Sequence, residues 1–225
     1  MADELGTREK ILSVATELLI RNGFGGFRFS DVAERLNITR ANIHYHFGNK
    51  ENLAEEVVVR YVDVTLERFG HICLDRASTL DTKIHEMAES NRARYLTYNP
   101  TENTGNAWSL IARMRLERDM IGPRARRAIE KFSAGLDRYV RQALEISIDR
   151  GELKPDAPVN DLALLIAAIA NSADPITRDA SSFDRLAELY GGFSRIATHA
   201  YGLQSRPQMQ SPKPRARAKA VPLRS

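Results

Sequence analysis

Residues 29–47 read FSDVAERLNITRANIHYHF. Two short runs with helical apolar spacing flank Asn37-Ile38-Thr39. Val32, Ala33 and Leu36 anchor the first run, Ile43 and Phe47 the second, and Ile38 joins them. Two short helices across a three-residue turn form the pattern of a helix-turn-helix. Such a turn needs a residue that tolerates positive φ, and asparagine, here Asn37, is the best choice after glycine. Thr39 is placed to cap the second helix.

The second helix contains His44-x-His46, which raises the question of a metal. Successive helical residues turn by about 100°, so these two rings point about 200° apart and cannot share an ion. The helical zinc spacing is i, i+4. With Ile43 and Phe47 pointing inward, the exposed face is Arg40, Ala41, Asn42, His44 and Tyr45. These residue types suit DNA. Arginine binds guanine bidentately, asparagine binds adenine, and small or aromatic groups meet the thymine methyl. His46 and Lys50 sit where phosphate contacts hold the register. The helix N-terminus capped by Asn49 offers a further phosphate site. On geometry alone, the same face also fits a polar surface helix of a bundle.

Outward from this segment the chain reads as helices. Thr7 is the expected N-cap of a first helix with Ile11, Ala15, Leu18 and Leu19 on one face, and GFGG (23–26) is expected as a loop. Asn49 caps a long helix with Leu53, Val57, Tyr61 and Val64 on one stripe, running to about Cys73. Further helices are expected over 79–98 and over 106–118, with a break near Gly122-Pro123, and then one carrying Ile129, Phe132, Leu136, Tyr139/Val140 and Ala143 that ends at Gly151. Leu162–Ala170 is apolar all round and should be buried on every side, with Asp174-Pro175 ending it. A last helix carries Phe183, Leu186, Tyr190, Phe193, Ala197 and Ala200 on one face. No stretch alternates as a strand, so the fold class is all-α.

Composition narrows the class. The net charge is +4, but six of the 33 basic residues lie in the last twenty positions, which hold no acid. The remaining 27 face 29 acids, so the body is near −2 and DNA binding must rest on local geometry. The tail 206–225 is expected to be disordered, and either adds nonspecific phosphate contacts or is merely solvated. One cysteine excludes an intramolecular disulfide and any multi-cysteine zinc site. The N-terminus lacks a signal-peptide pattern, and the longest apolar run is too short to span a bilayer. A soluble cytoplasmic protein without cofactor or metal is expected. No histidine has a glutamate three residues before it, and G-x-S-x-G, phosphate-loop and G-x-G-x-x-G patterns are absent, so no enzyme is indicated.

Three stretches in order, ILSVATELLIRNGF (11–24), SDVAERLNITRANIHYHF (30–47) and NKENL (49–53), resemble the DNA-binding domain of the tetracycline-repressor (TetR) family over about residues 7–55. Asn37 takes the place of the family's turn glycine, and Thr39 that of its cap. Lys50 takes the place of its phosphate-contacting lysine. His44 replaces its recognition-helix tyrosine, with Tyr45 adjacent. Arg28 replaces a threonine common at the start of the second helix and is placed to reach a phosphate. The resemblance implies a helical homodimer that binds a palindromic operator, most often as a repressor released by a small molecule. It also implies an N-terminal helix-turn-helix domain joined to a C-terminal helical bundle for ligand binding and dimerisation. The expected division is 1–48 for the DNA-binding domain, 49–73 for a connecting helix, 74–205 for the ligand and dimer domain and 206–225 for the basic tail. The rival reading is a helical interaction module or sensor that never acts on DNA.

Two further expectations concern the C-terminal region. Its last two helical segments, one apolar all round and one aromatic-striped, are hard to satisfy within one thin subunit and are candidates for the dimer interface. Gly191 and Gly192 permit close helix approach there. The family analogy places the effector among the middle helices, where Arg94, Tyr95, Trp108, Arg113 and Met114 fall. Two aromatics with arginine suit an apolar ligand bearing an anion.

Overall fold

In the computed structural model, which describes residues 2–101 and 104–203, the described chain is ten helices. The basic tail 206–225 lies outside the described residues. The first four helices are α1 (Ala2–Gly26), α2 (Phe29–Leu36), α3 (Arg40–Phe47) and α4 (Lys50–Leu74). Then come α5 (Leu80–Tyr98), α6 (Leu110–Leu116), α7 (Pro123–Asp149), α8 (Val159–Asn171), α9 (Ala173–Ala180) and α10 (Asp184–Tyr201). The only β feature among the described residues is an isolated antiparallel bridge, Leu153 with Gly202.

α1 begins before Thr7, since only Gly6 in that stretch disfavours a helix. It breaks at Gly23 (φ 70°, ψ 177°), and Phe24–Gly26 add one more turn where a plain loop was expected. Buried Phe24 and Phe27 draw that turn back onto the core. α1, α2 and α3 close around Ile11, Ala15, Leu19, Phe27, Val32 and Ile43, each at most 0 % exposed. Asn37 adopts the left-handed conformation (φ 51°, ψ 46°), and its N–H donates to the Ala33 and Glu34 carbonyls. The Thr39 hydroxyl accepts from the Asn42 N–H at 3.2 Å, and Asn49 Oδ1 accepts from the Asn52 N–H at 2.8 Å.

α4 serves both halves of the chain. Leu53, Val57 and Tyr61 are buried, but Val64, expected on the same stripe, is exposed. Over 25 residues a 3.6-residue period drifts off any fixed four-residue spacing, and burial passes to Val58, Val62, Leu66, Phe69 and Cys73. There α4 lies along α7, at close range because a Cβ on Gly135 would stand 2.7 Å from Leu66 Cδ2. Glu55, buried on α4, accepts from the Arg124 N–H at 2.7 Å and so caps α7, a helix that begins at Pro123. Cys73 is fully buried, which pushes its thiol up to about 12. A disulfide reagent should therefore label the native protein only as fast as it unfolds. Labelling at the rate of an exposed thiol would show that Cys73 is not enclosed.

Later boundaries differ from expectation where long-range contacts intervene. α6 starts at Leu110, not near Asn106, because Asn99 and Asp174 hold the preceding segment extended. The Asn106 N–H donates to Asn99 Oδ1 at 2.9 Å, and the Trp108 and Ser109 N–H groups donate to Asp174 Oδ1 at 2.8 and 3.0 Å. Asp174-Pro175 opens α9, where a first-turn proline loses no needed N–H. α8 is not buried on every side, since Leu164 and Leu165 are 67 % and 56 % exposed. α10 packs against α8 and exposes Ile196 (68 %) and Leu189. Ala200, expected on the buried stripe of α10, is exposed too. No single helix among the described residues is long and apolar enough to cross a membrane.

Candidate nucleic-acid interface and effector chamber

α3 is pinned by its buried residues, Ile43 and Phe47. That leaves Arg40, Ala41, His44 and Tyr45 exposed and Asn42 and His46 half-buried. Tyr45 projects furthest, at 77 % exposure. Asn42 Oδ1 is buried and has no hydrogen-bond partner among the described residues, so this amide must turn outward to present its acceptor. His44 is more constrained than its periodicity suggests. Its Nδ1 lies 2.6 Å from the Gly48 carbonyl, and its ring meets Phe29 edge-on at 4.8 Å. A carbonyl only accepts, so Nδ1 carries the proton and Nε2 of the neutral ring is left as an acceptor. The His46 ring lies between its neighbours Tyr45 and Phe47, at 5.2 and 6.2 Å.

The flanking cations frame this helix. Arg28 precedes α2 and makes no side-chain cap. Arg28 and Arg40 are exposed and form no ion pair among the described residues, so both are available to phosphate. Lys50 Nζ lies 4.5 Å over the Phe24 ring at the start of α4. That holds the ammonium beside the α4 N-terminus, where the Asn49 cap leaves further N–H groups unpaired. Thr39 is spent on its cap.

Of the five residues expected in the ligand pocket, the structure brings two to one cavity. Arg94 and Trp108 line a chamber of about 40 Å³ among α4, α5, α6 and α7. Tyr95 lies behind Trp108, edge-on at 6.4 Å, and packs on Phe183 at 5.6 Å. Met114 is wholly buried in the core. Arg113 faces the other way: its Nε lies 3.0 Å from Glu117 Oε1, against the break in α1. The pair is close by distance, although the Nε–H is not aimed to make a hydrogen bond.

Periodicity missed Tyr61, Arg68, Asn91, Arg115 and Asp174, which also line the chamber. Arg94 stacks over the Tyr61 ring at 4.4 Å. Arg115 donates to Ser133 Oγ at 2.9 Å and Asn171 Oδ1 at 2.8 Å and lies 5.8 Å over the Phe132 ring. The clue lay in the spacing on α6, where residues two apart face opposite sides, so Arg113 and Arg115 could not both enter.

Comparisons with known proteins bear on this arrangement. Residues 11–57 match the family model described as bacterial regulatory proteins, tetR family. The chain is 23% identical over 195 residues to the HTH-type transcriptional regulator QacR of Staphylococcus aureus, covering 85% of this chain and 96% of that protein. A 51-residue stretch is 33% identical to IcaR, the negative transcriptional regulator of the biofilm operon icaADBC in Staphylococcus aureus, covering 23% of this chain and 27% of that one. A TetR transcriptional regulator from Chloroflexus aurantiacus has the same fold, with a TM-score of 0.74 at 22% identity over 90% of this chain and all of that one. Residues 11–57 are a helix-turn-helix, DNA-binding domain of the tetR type, and the described chain has the fold of TetR-family transcription regulators.

Proposed function

We propose that the protein is a homodimeric repressor that binds a palindromic operator and is released by a small molecule. The observation that carries this reading is α3. Its buried residues, Ile43 and Phe47, hold Arg40, Ala41 and Tyr45 outward with Asn42 at the edge, flanked by Arg28 and Lys50, which form no ion pair among the described residues. The domain division that fits is DNA reading in 1–48, a connecting helix in 49–73 and effector binding with dimerisation in 74–205. Repression is supported by the similarity to IcaR, which is described as a negative regulator.

Dimerisation is supported by the apolar face that α8 and α10 leave uncovered at Leu164, Leu165, Leu189 and Ile196. A second copy packed on this face buries it and sets two α3 helices about 34 Å apart, the spacing a two-fold operator asks for. Leu165→Glu combined with Ile196→Glu should leave a folded monomer in sedimentation velocity, with operator affinity reduced to that of a single half-site. A double variant that still sediments as a dimer would place the interface elsewhere.

Release follows if the effector binds two tilts of α4 with different affinity. α4 begins beside α3, lines the chamber through Tyr61, Thr65 and Arg68, and caps α7 through Glu55. The experiment that tests the whole reading is selection from a random duplex pool by the purified protein at a fixed, near-physiological salt. A recovered palindrome is the expected result. No recovered motif, from protein shown to be folded and dimeric, counts against it.

A further inference from the structure

We propose that the effector is an amphipathic organic anion, its acid group held among Arg68, Arg94 and Arg115 and its apolar body against Trp108 and Phe132. This rests on the reading of the protein as an effector-released regulator and names the effector's chemical class.

The charge around the chamber carries the inference. Three guanidiniums line it, and none forms an ion pair with a carboxylate among the described residues. Arg115 is half-buried, and its hydrogen-bond partners, Ser133 and Asn171, are neutral. Burial pulls its pKa below the ordinary arginine value, with no acid nearby to offset the effect. A desolvated cation without a counter-ion is costly, and an incoming anion removes that cost. Arg94 lies over Tyr61, Arg68 is exposed, and neither has a carboxylate partner among the described residues. Asp174 is the one carboxylate lining the chamber among the described residues. Its Oδ1 is already committed to the Trp108 and Ser109 N–H groups, and its Oδ2 lies 3.9 Å from Arg178. Planar guanidinium forks match carboxylate, sulfonate and phosphate oxygens, so the shared chemistry is an oxyanion head.

The size of the chamber adds a requirement. About 40 Å³ accepts the head group alone, whereas effector-sized pockets run to several hundred Å³. Arg94 and Tyr61 are also part of the lining of a cleft of about 190 Å³ between α1 and α4. Drawing the Arg94 guanidinium off the Tyr61 ring and onto an anion opens the chamber toward that cleft. The apolar body is thereby directed between the DNA-reading helices and the rest of the chain.

Trp108 is the only tryptophan, so its emission reports directly on the chamber. The full chain is titrated with octanoate, octanol and octylammonium, three probes of one length that differ in head charge. Octanoate should change the emission saturably and octylammonium should not. Arg68→Gln, which removes an exposed charge that has no ion pair among the described residues, should weaken octanoate by about tenfold, the worth of a charge-assisted hydrogen bond. Arg115→Gln should weaken it further, and thermal melting checks that this variant is folded. The proposal is overturned if octanol or octylammonium binds as well as octanoate. It is overturned equally if Arg68→Gln has no effect, or if octanoate gives no response up to its solubility limit. Duplex binding is scored separately. Arginine-dependent octanoate binding without any duplex binding would sink the regulator reading and leave the anion site standing. Duplex binding without octanoate binding would do the reverse.

Discussion

Asn42→Ala combined with Tyr45→Ala should lower affinity for the selected operator by about 1,000-fold while leaving the fold intact. Tyr45 lies on the outer face of α3 and half-buried Asn42 at its edge. Tyr45 is almost free of the protein, and the capping bond from Thr39 uses the Asn42 backbone N–H rather than its amide. Substitutions of this kind change stability by no more than about 0.5 kcal/mol. A base contact is worth about 1–3 kcal/mol, and a dimer loses two in each half-site, so even the lower figure gives about three powers of ten. Neither residue is charged, so the salt dependence of the remaining binding should keep its slope. Lys50→Gln is the complementary case, with uniformly weaker binding to all sequences and a shallower slope. Fluorescence anisotropy across a salt series reads both. A double variant that binds within about threefold of the parent would mean that α3 does not read bases, since each lost contact alone is worth more.

Gly23→Ala should cost about 1.5–4.5 kcal/mol in urea unfolding. Two effects add. The backbone at φ 70°, ψ 177° is a conformation reserved almost wholly for glycine, worth about 1–3 kcal/mol. A Cβ there would also stand 1.9 Å from Glu117 Oε1 and 2.7 Å from Arg113 Nε, so the flexible ends of this pair on α6 must swing away, giving up a hydrogen bond worth about 0.5–1.5 kcal/mol. Glu117 Oε2 also accepts the Gly25 N–H at 3.1 Å, so this is the place where α6 grips the end of α1. Displacing it should also loosen the hold of α6 on the end of α1, seen as faster hydrogen exchange in α1 with α2 and α3 kept. Gly25→Ala is the control. Its backbone φ is ordinary, and its Cβ would meet only the mobile end of Met120 at 3.2 Å, so its cost should stay under about 1 kcal/mol. Equal stability of the two variants would refute the argument from Gly23.

The reading of α3 was available from the chain alone because each signal is local. Asn37, Thr39 and Asn49 act within four residues of themselves, and Ile43 with Phe47 fixes the helix face by periodicity. The chamber was only half legible. Arg94 and Trp108 were expected in it and line it, whereas Arg113 and Met114 were chosen over Arg115. α6 is seven residues long and packed on more than one side, so periodicity gives it no single inner face and no means of ranking its two arginines.

Sequence by itself determined the all-helical class, the helix-turn-helix, its caps and its left-handed turn, because these depend on neighbours a few positions apart. Tertiary structure alone decided where Asp174 and Asn99 delay α6, where Glu55 caps a helix 69 residues away, and which arginines face the chamber. It also decided that Leu164 and Leu165 lie outside the subunit's own core. An apolar run signals that burial is needed, but only the packed chain shows how much of that cover its own helices supply.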